Sequence, residues 1–139
     1  SMLKFFSHNG LPATCIGDGL QGSKALVGAD LQKIVLPQIN LAQMDLRRVN
    51  FREANLQGAD LSGATLTETT LTEANIEGAD LTEANLSRAT LIGANLRQAD
   101  LSGARLTLAI FEMADLREAK VTDEQLRTIG SGEALKRES

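Results

Sequence analysis

The chain has 139 residues and few side chains that could carry out covalent or metal chemistry. His8 is its one histidine and Cys15 its one cysteine, which excludes a site built on several histidines. His8 lies in a predicted turn, which does not favour a role in a catalytic triad. The glycine-rich stretch from Gly17 to Gly22 does not continue into the G-x-x-x-x-G-K-[ST] motif of a phosphate-binding loop. We therefore expect no catalytic residue, no cofactor and no metal ion, and we predict that the protein is not an enzyme.

The remaining candidates for function are carboxylates that recur along the chain. Asp60, Asp80 and Asp100 are spaced twenty residues apart, and Glu83 lies close to the second of them. A flat row of carboxylates does not surround a Ca²⁺ ion with the 6–8 oxygens that it takes. What these side chains can do therefore depends on whether the fold brings them to one surface.

The fold is indicated by a large apolar residue at every fifth position. The series is Leu31, Leu36, Leu41, Leu46, Phe51, Leu56, Leu61, Leu66, Leu71, Ile76, Leu81, Leu86, Leu91, Leu96, Leu101, Leu106, Phe111 and Leu116. We call these the central positions, and the residue two before each is usually alanine. A period of five fits neither a helix, whose period is 3.6, nor a strand, whose period is 2.

The residues between the central positions are rich in Thr, Asn, Asp and Gly, which are poor helix formers and good turn formers. We infer a chain that turns a corner every five residues and points the central and preceding small residue inward. Four corners return the chain to its starting direction, so each coil takes about twenty residues and the coils stack about 4.8 Å apart. This is an all-β solenoid, a rod about 22–24 Å long.

The sequence resembles the pentapeptide-repeat proteins, whose signature is A-(D/N)-L-x-x. Outright matches are Ala54-Asn55-Leu56, Ala59-Asp60-Leu61, Ala79-Asp80-Leu81, Ala94-Asn95-Leu96, Ala99-Asp100-Leu101 and Ala114-Asp115-Leu116. The resemblance implies a right-handed quadrilateral β-helix, here of about 4.5–5 coils, in which each coil contacts only its neighbours. We predict an N-terminal cap and irregular first coil over 1–25, the β-helix over 26–121, and a short capping helix and tail over 122–139.

The predicted core is the column of central side chains inside the coils. Phe51, Leu71, Leu91 and Phe111 fall on one face, and Leu81 lies in the middle of the stack. The two phenylalanine rings are expected near the ends of the stack, where they would seal the apolar interior. Ile34, Ile39, Met44 and Val49 stand where later repeats have alanine, which predicts a bulkier interior at the N-terminal end.

The C-terminal end carries the signals of a short helix. Thr122 and Gln125 have the spacing of a capping box, and Gly130 is placed to end the helix. This helix would lie over the last coil and cover its open strand edges. Residues 131–139 are expected to form a charged, frayed tail.

Positions twenty apart should stack on one face, so we define an acidic strip of Asp60, Asp80, Glu83 and Asp100. Between residues 29 and 118 this face has no basic residue, whereas the next face along the chain is mildly basic. Asn and Asp before the central position can also accept hydrogen bonds from turn N–H groups. The strip is therefore either an interaction surface or only turn-capping chemistry. A column of Asn55, Asn75 and Asn95 is expected to form an amide ladder.

Two functions of different classes follow from these features. The first is an interaction scaffold whose flat faces dock an unknown protein partner. The alternative, suggested by gyrase-protecting members of the family, is a DNA mimic that binds a topoisomerase such as DNA gyrase through the acidic strip. The net charge of −4 argues against direct nucleic-acid binding, and no apolar stretch reaches the roughly 18 residues of a membrane span. We expect a cytoplasmic monomer or weak dimer.

Overall fold

The computed structural model describes residues 26–137. In this part of the chain the one helix is α1, Asp123–Arg127, and the remaining regular structure is a series of single-residue parallel bridges. The predicted N-terminal cap and irregular first coil over 1–25, with His8, Cys15 and the glycine-rich stretch, lie outside the described residues. No helix within 26–137 has the length and apolar content needed to cross a membrane.

The bridges join the residues that precede the central positions, and each partner lies twenty residues further along. One coil contributes four of them, namely Asp30↔Asn50, Val35↔Asn55, Asn40↔Asp60 and Asp45↔Thr65, all parallel. The same register continues to Asp100↔Lys120. The four-sided coil of twenty residues predicted from the five-residue period is therefore present.

A tight turn follows each central residue. In one repeat, the Ala54 N–H donates to the carbonyl of Phe51 at 2.9 Å, and Glu53 between them has a φ of 57°. The residue two positions after each central residue has a positive φ, and so does Gly28, two positions after Leu26. The third residue of a type II turn requires such a φ. Glycine occupies only some of these positions, so most corners hold an L-residue in the left-handed region.

The central side chains fill the interior. Phe51, Leu71, Leu81, Leu91 and Phe111 all have 0% of their surface exposed. The expectation that the two rings seal the ends is wrong, because further chain pairs beyond each of them. The Leu31 segment pairs on the side of Phe51, and the Phe111 N–H donates to the carbonyl of Ser131 at 2.7 Å.

The interior is bulkier at the start of the described chain, where branched or long side chains replace alanine. Ile39, Met44 and Val49 are buried there, and Ile34 packs against the same core half-buried. Thr69 also replaces an alanine, and its hydroxyl donates to the carbonyl of Leu46 at 3.0 Å. This bond satisfies the one buried polar side chain in the described part of the chain.

The helix α1 begins at the predicted position. Thr122 is its N-cap, and the capping box with Gln125 is formed in both directions. The Gln125 amide also donates to the carbonyls of Leu101 and Ala104, at 2.7 and 3.0 Å. The helix thus occupies the place where a strand would otherwise pair with the edge near Arg105.

Pairing resumes after α1, so the frayed tail expected from residue 131 is wrong for 131–136. Ser131 pairs with Ile110 and Lys136 with Asp115, twenty-one residues apart instead of twenty. The extra residue lies before Thr128, because the Leu108 N–H already donates to the Thr128 carbonyl, twenty residues on, whereas the Arg88 N–H donates to Thr107, nineteen residues on. Ile129 packs half-buried against the core. The sequence did not reveal this segment because the apolar series ends before it: Gly132 and Arg137 stand where central residues would be. The coil number and the segment boundaries stay predictions.

Candidate interaction surface

The structure brings the four residues of the acidic strip onto one face. Asp60 pairs with Asp80 and Asp80 with Asp100 through consecutive parallel bridges. The three Asp side chains are half-buried, and Glu83 is exposed at the adjoining corner, where its φ is 59°. The carboxylates therefore form a row that follows the solenoid axis, with one Asp per coil.

Each Asp of the strip caps its own turn through one carboxylate oxygen. Its Oδ1 accepts both the N–H and the hydroxyl of the residue two further along. The N–H donates at 3.0, 2.9 and 2.9 Å and the hydroxyl at 2.6 Å in all three, from Ser62, Thr82 and Ser102. Each Asp therefore caps its turn, as one of the two alternatives predicted, but it does so with only one of its two carboxylate oxygens.

The hydrogen bond from the hydroxyl is present at the three Asp residues and absent at Asn85. Asn85 precedes Ser87 at the same spacing, yet its Oδ1 accepts only the Ser87 N–H, at 3.0 Å. A hydroxyl donating to an ionised oxygen forms a shorter and stronger bond, typically 2.5–2.7 Å. The Asp-x-Ser/Thr spacing was visible in the sequence and could have predicted this bond. It explains why Asp is suited to these turns, but it uses only one of the two oxygens.

The second oxygens of the strip differ from one end to the other. Asp60 and Asp80 make no Oδ2 contact within residues 26–137. Lys120 continues the same column after Asp100, and its Nζ lies 3.8 Å from the Asp100 Oδ2. The strip thus ends in a basic residue that the sequence analysis did not include. The Ser102 hydroxyl, the Ser102 N–H and then Lys120 hold the pKa of Asp100 below its usual value.

The neighbouring column of amides forms a shorter ladder than expected. The Asn95 Nδ2 donates to the Asn75 Oδ1 at 3.4 Å and to Glu77 at 3.2 Å. All three Asn residues cap their own turns, and Asn55 makes only this bond, from the N–H of Gln57 at 3.1 Å. The amide ladder therefore consists of one hydrogen bond, between Asn95 and Asn75.

Asp115 continues this column and forms an ion pair with Arg117. Arg117 donates two hydrogen bonds to Asp115, at 2.9 and 2.6 Å. These bonds lower the pKa of Asp115 to about 2.

The chemistry that this surface supports is recognition. Among residues 26–137, no group of three or more His, Cys, Asp or Glu side chains is arranged to hold a metal ion. The inward positions carry almost only hydrocarbon, so the polar groups of the described chain lie on its outer faces. Flat faces with regularly spaced charges suit a macromolecular partner better than a small molecule, which needs a concave site.

A family model describes the repeats. The model for pentapeptide repeats matches eight copies, over residues 26–63, 50–88 and 84–123. The chain belongs to the pentapeptide-repeat family. Proteins of this family fold as right-handed quadrilateral β-helices, in agreement with the four parallel bridges per coil. No curated protein matches this chain significantly.

Solved structures of cyanobacterial relatives share the fold. A pentapeptide-repeat protein of Nostoc PCC 7120, alr5209, is 34% identical over 78% of this chain and 84% of its own, with a TM-score of 0.62. Rfr23 of Cyanothece 51142 is 27% identical over 79% and 88%, with a TM-score of 0.60. HetL of Nostoc sp. strain PCC 7120, involved in the regulation of heterocyst differentiation, is 32% identical with a TM-score of 0.59. The match covers 79% of this chain and 58% of HetL.

Proposed function

We propose that this pentapeptide-repeat protein is a non-enzymatic scaffold that docks a protein partner through its acidic strip. The observation that carries the proposal is the second carboxylate oxygen of Asp60 and Asp80, which their turns do not use. Asp60 and Asp80 each satisfy their turn with one oxygen and keep the other without a contact among the described residues. Asparagine would accept the same N–H without that extra charge, as Asn85 does. A row of carboxylates at about 4.8 Å spacing fits a basic protein surface.

The alternative is that the strip mimics DNA and binds a topoisomerase such as DNA gyrase. The regular row of carboxylates favours the hypothesis of DNA mimicry, since a duplex also presents its charge at regular intervals. The row is sparser than DNA, however: one Asp per 4.8 Å or so compares with one phosphate charge per about 1.7 Å of duplex axis. Lys120 further offsets the charge of Asp100. We therefore rank this function second.

The test is a variant in which the three Asp residues of the strip become Asn. Asn85 indicates that each turn N–H would keep its acceptor, so the variant is expected to fold. Wild-type protein and variant are used to capture partners from an extract of the source organism, and the affinity of each captured protein is then measured. The proposal requires a partner whose affinity falls by about tenfold or more in the variant. Equal affinity for every captured protein would leave the strip as turn-capping chemistry.

A matched control removes three negative charges from other parts of the surface. Suitable exposed residues are Glu53, Glu68 and Glu118, each replaced by Gln. This control should keep the partner, because the total charge changes equally but the strip stays intact. A supercoiling assay with DNA gyrase tests the alternative with the same three proteins. Sedimentation velocity tests the proposal of a monomer or weak dimer, and fractionation of source cells tests the cytoplasmic location.

A further inference from the structure

The face opposite the acidic strip changes character at its C-terminal end. Its column of residues before the central position is polar in three successive coils, with Asn50, Thr70 and Thr90, and then becomes Ile110. Leu108 and Met113 stand at the two corners beside Ile110, and 45% and 58% of their surfaces are exposed. These three side chains run across the face in one coil, and we call them the apolar patch.

The corner residues of the patch are unusual for this fold. Their φ angles, 61° and 59°, are like those of the other corners, but every other corner from Gly28 to Glu118 holds glycine or a polar or charged residue. The corresponding corners of the preceding coil hold Arg88 and Gly93, which suit a solvated turn or a positive φ. Neither large apolar side chain is needed for the corner or for the core. An exposed apolar cluster placed against the preferences of the fold points to a binding role.

The following coil leaves the patch uncovered. A side chain at Gly130 would approach the Ile110 Cδ1 to 3.3 Å and the Leu108 carbonyl oxygen to 2.9 Å. Because Gly130 has no side chain, the centre of the patch stays open on that side. Next to it, Met113 and Ala134 line a shallow groove of about 280 Å³ together with Glu112 and Glu133.

The charges around this groove select the partner. Glu112 and Glu133 contribute two carboxylates to its lining, and the lining holds no cation. Glu133 has no ion pair within residues 26–137, and Glu112 accepts a hydrogen bond from the Ser131 hydroxyl. A second copy placed on the same patch would bring these carboxylates together, and an anionic membrane or nucleic acid would be repelled. The complementary surface is apolar and flanked by Lys or Arg.

We infer that the apolar patch docks a basic amphipathic protein segment, with an apolar anchor over Met113 and cations against Glu112 and Glu133. This site lies on the opposite face from the acidic strip and does not depend on it. The two can therefore fail separately: loss of binding at one leaves binding at the other unchanged.

The test uses a short synthetic amphipathic peptide of leucine and lysine, with a leucine–glutamate peptide as its charge-reversed counterpart. Binding to the full chain is measured by fluorescence anisotropy and mapped by NMR on ¹⁵N-labelled protein. We expect the lysine peptide to perturb the amides of residues 108–113 and 130–134, and the glutamate peptide not to bind. The double variant Leu108→Gln/Met113→Gln should weaken binding by about tenfold or more.

Two control variants separate the patch from general attraction to an acidic protein. Val35→Gln removes another exposed apolar side chain, 66% exposed and located on a different face, and should bind like the wild type. Glu133→Gln should weaken binding and flatten its salt dependence. The inference is overturned if the perturbed amides lie at Asp60 and Asp80 instead, or if Val35→Gln and the double variant bind equally. It is also overturned if sedimentation shows that the patch variant abolishes self-association, because the occupant would then be a second copy.

Discussion

The replacement of Gln125 tests how the helix α1 is held on the solenoid. The Gln125 Oε1 accepts the N–H of the N-cap Thr122 at 2.9 Å, and its Nε2 donates to two carbonyls of the preceding coil, at 2.7 and 3.0 Å. Losing the cap bond costs about 0.5–2 kcal/mol, and each further bond contributes about 0.5–1.5 kcal/mol net. Gln125→Ala should therefore lower the free energy of unfolding by about 1.5–5 kcal/mol.

Gln125→Glu is the sharper variant because it separates the two roles of the side chain. A carboxylate can still accept the Thr122 N–H, but it cannot donate to the carbonyls of Leu101 and Ala104. Its charge would face those two oxygens, which raises the pKa of the introduced Glu in the folded state. We therefore expect a loss at least as large as that of Gln125→Ala at neutral pH. The protonated form regains a donor, so stability should recover as the pH falls through that raised pKa and be lost as the pH rises through it.

The assay is urea unfolding followed by circular dichroism at several pH values, together with hydrogen exchange at the Leu126 amide, which donates to the Thr122 carbonyl at 3.1 Å. Exchange detects local release of α1 even where the rest of the solenoid stays folded. Gln98→Ala is the matched control, since Gln98 makes one exposed bond to Glu118 at 2.9 Å; it should cost less than about 0.5 kcal/mol. If Gln125→Glu is as stable as the wild type at neutral pH, then the two bonds to the carbonyls do not hold the helix.

The remaining predictions concern the core, an ion pair and the corners. Leu81→Ala should cost roughly 2–5 kcal/mol because Leu81 is fully buried, and a melting shift below about two degrees would contradict the packing. Asp115→Asn keeps the turn acceptor but loses the charge, so its stability deficit at neutral pH should shrink as the pH falls towards 2, through the lowered pKa of Asp115; a constant deficit would refute the ion pair as its cause. Gly78→Ala should cost about 1 kcal/mol through its φ of +67° alone, since nothing lies within 4 Å of the added carbon, whereas Glu83→Ala, at a φ of 59°, should be close to neutral in the same thermal assay.

The period of five was enough to predict the coil because every repeat must satisfy the same steric requirement. A narrow interior admits one large and one small apolar residue per side. In the sequence, this requirement appears as a large apolar residue at every fifth position with a small residue two before it. The segment after α1 was not predicted because it lacks this apolar pattern. One extra residue precedes Thr128, and Gly132 and Arg137 stand at central positions, so backbone pairing continues there without the apolar signal.

The candidate surfaces were only partly predictable. The stacking of Asp60, Asp80 and Asp100 follows from the coil length, and the structure places them as expected. The use of each Oδ1 by a hydroxyl could have been predicted from the Asp-x-Ser/Thr spacing, although not from the period of five. The approach of Lys120 to Asp100 depends on side-chain geometry that neither pattern encodes. Spacing places a residue on a face, whereas its contacts decide whether its charge is free to bind.

In a solenoid the interior and the exterior are specified almost independently, and this makes departures on the outside informative. Replacing Met113 by glycine or glutamate would leave the interior unchanged and would suit the corner at least as well. The Asp residues of the strip, by contrast, satisfy the turn as well as carrying charge, so their presence alone cannot separate capping from binding. By this reasoning the apolar patch is the surface whose residues the fold explains least. Binding measured at the patch would therefore report selection for a partner, whereas binding at the strip needs the Asn variants before it carries the same meaning.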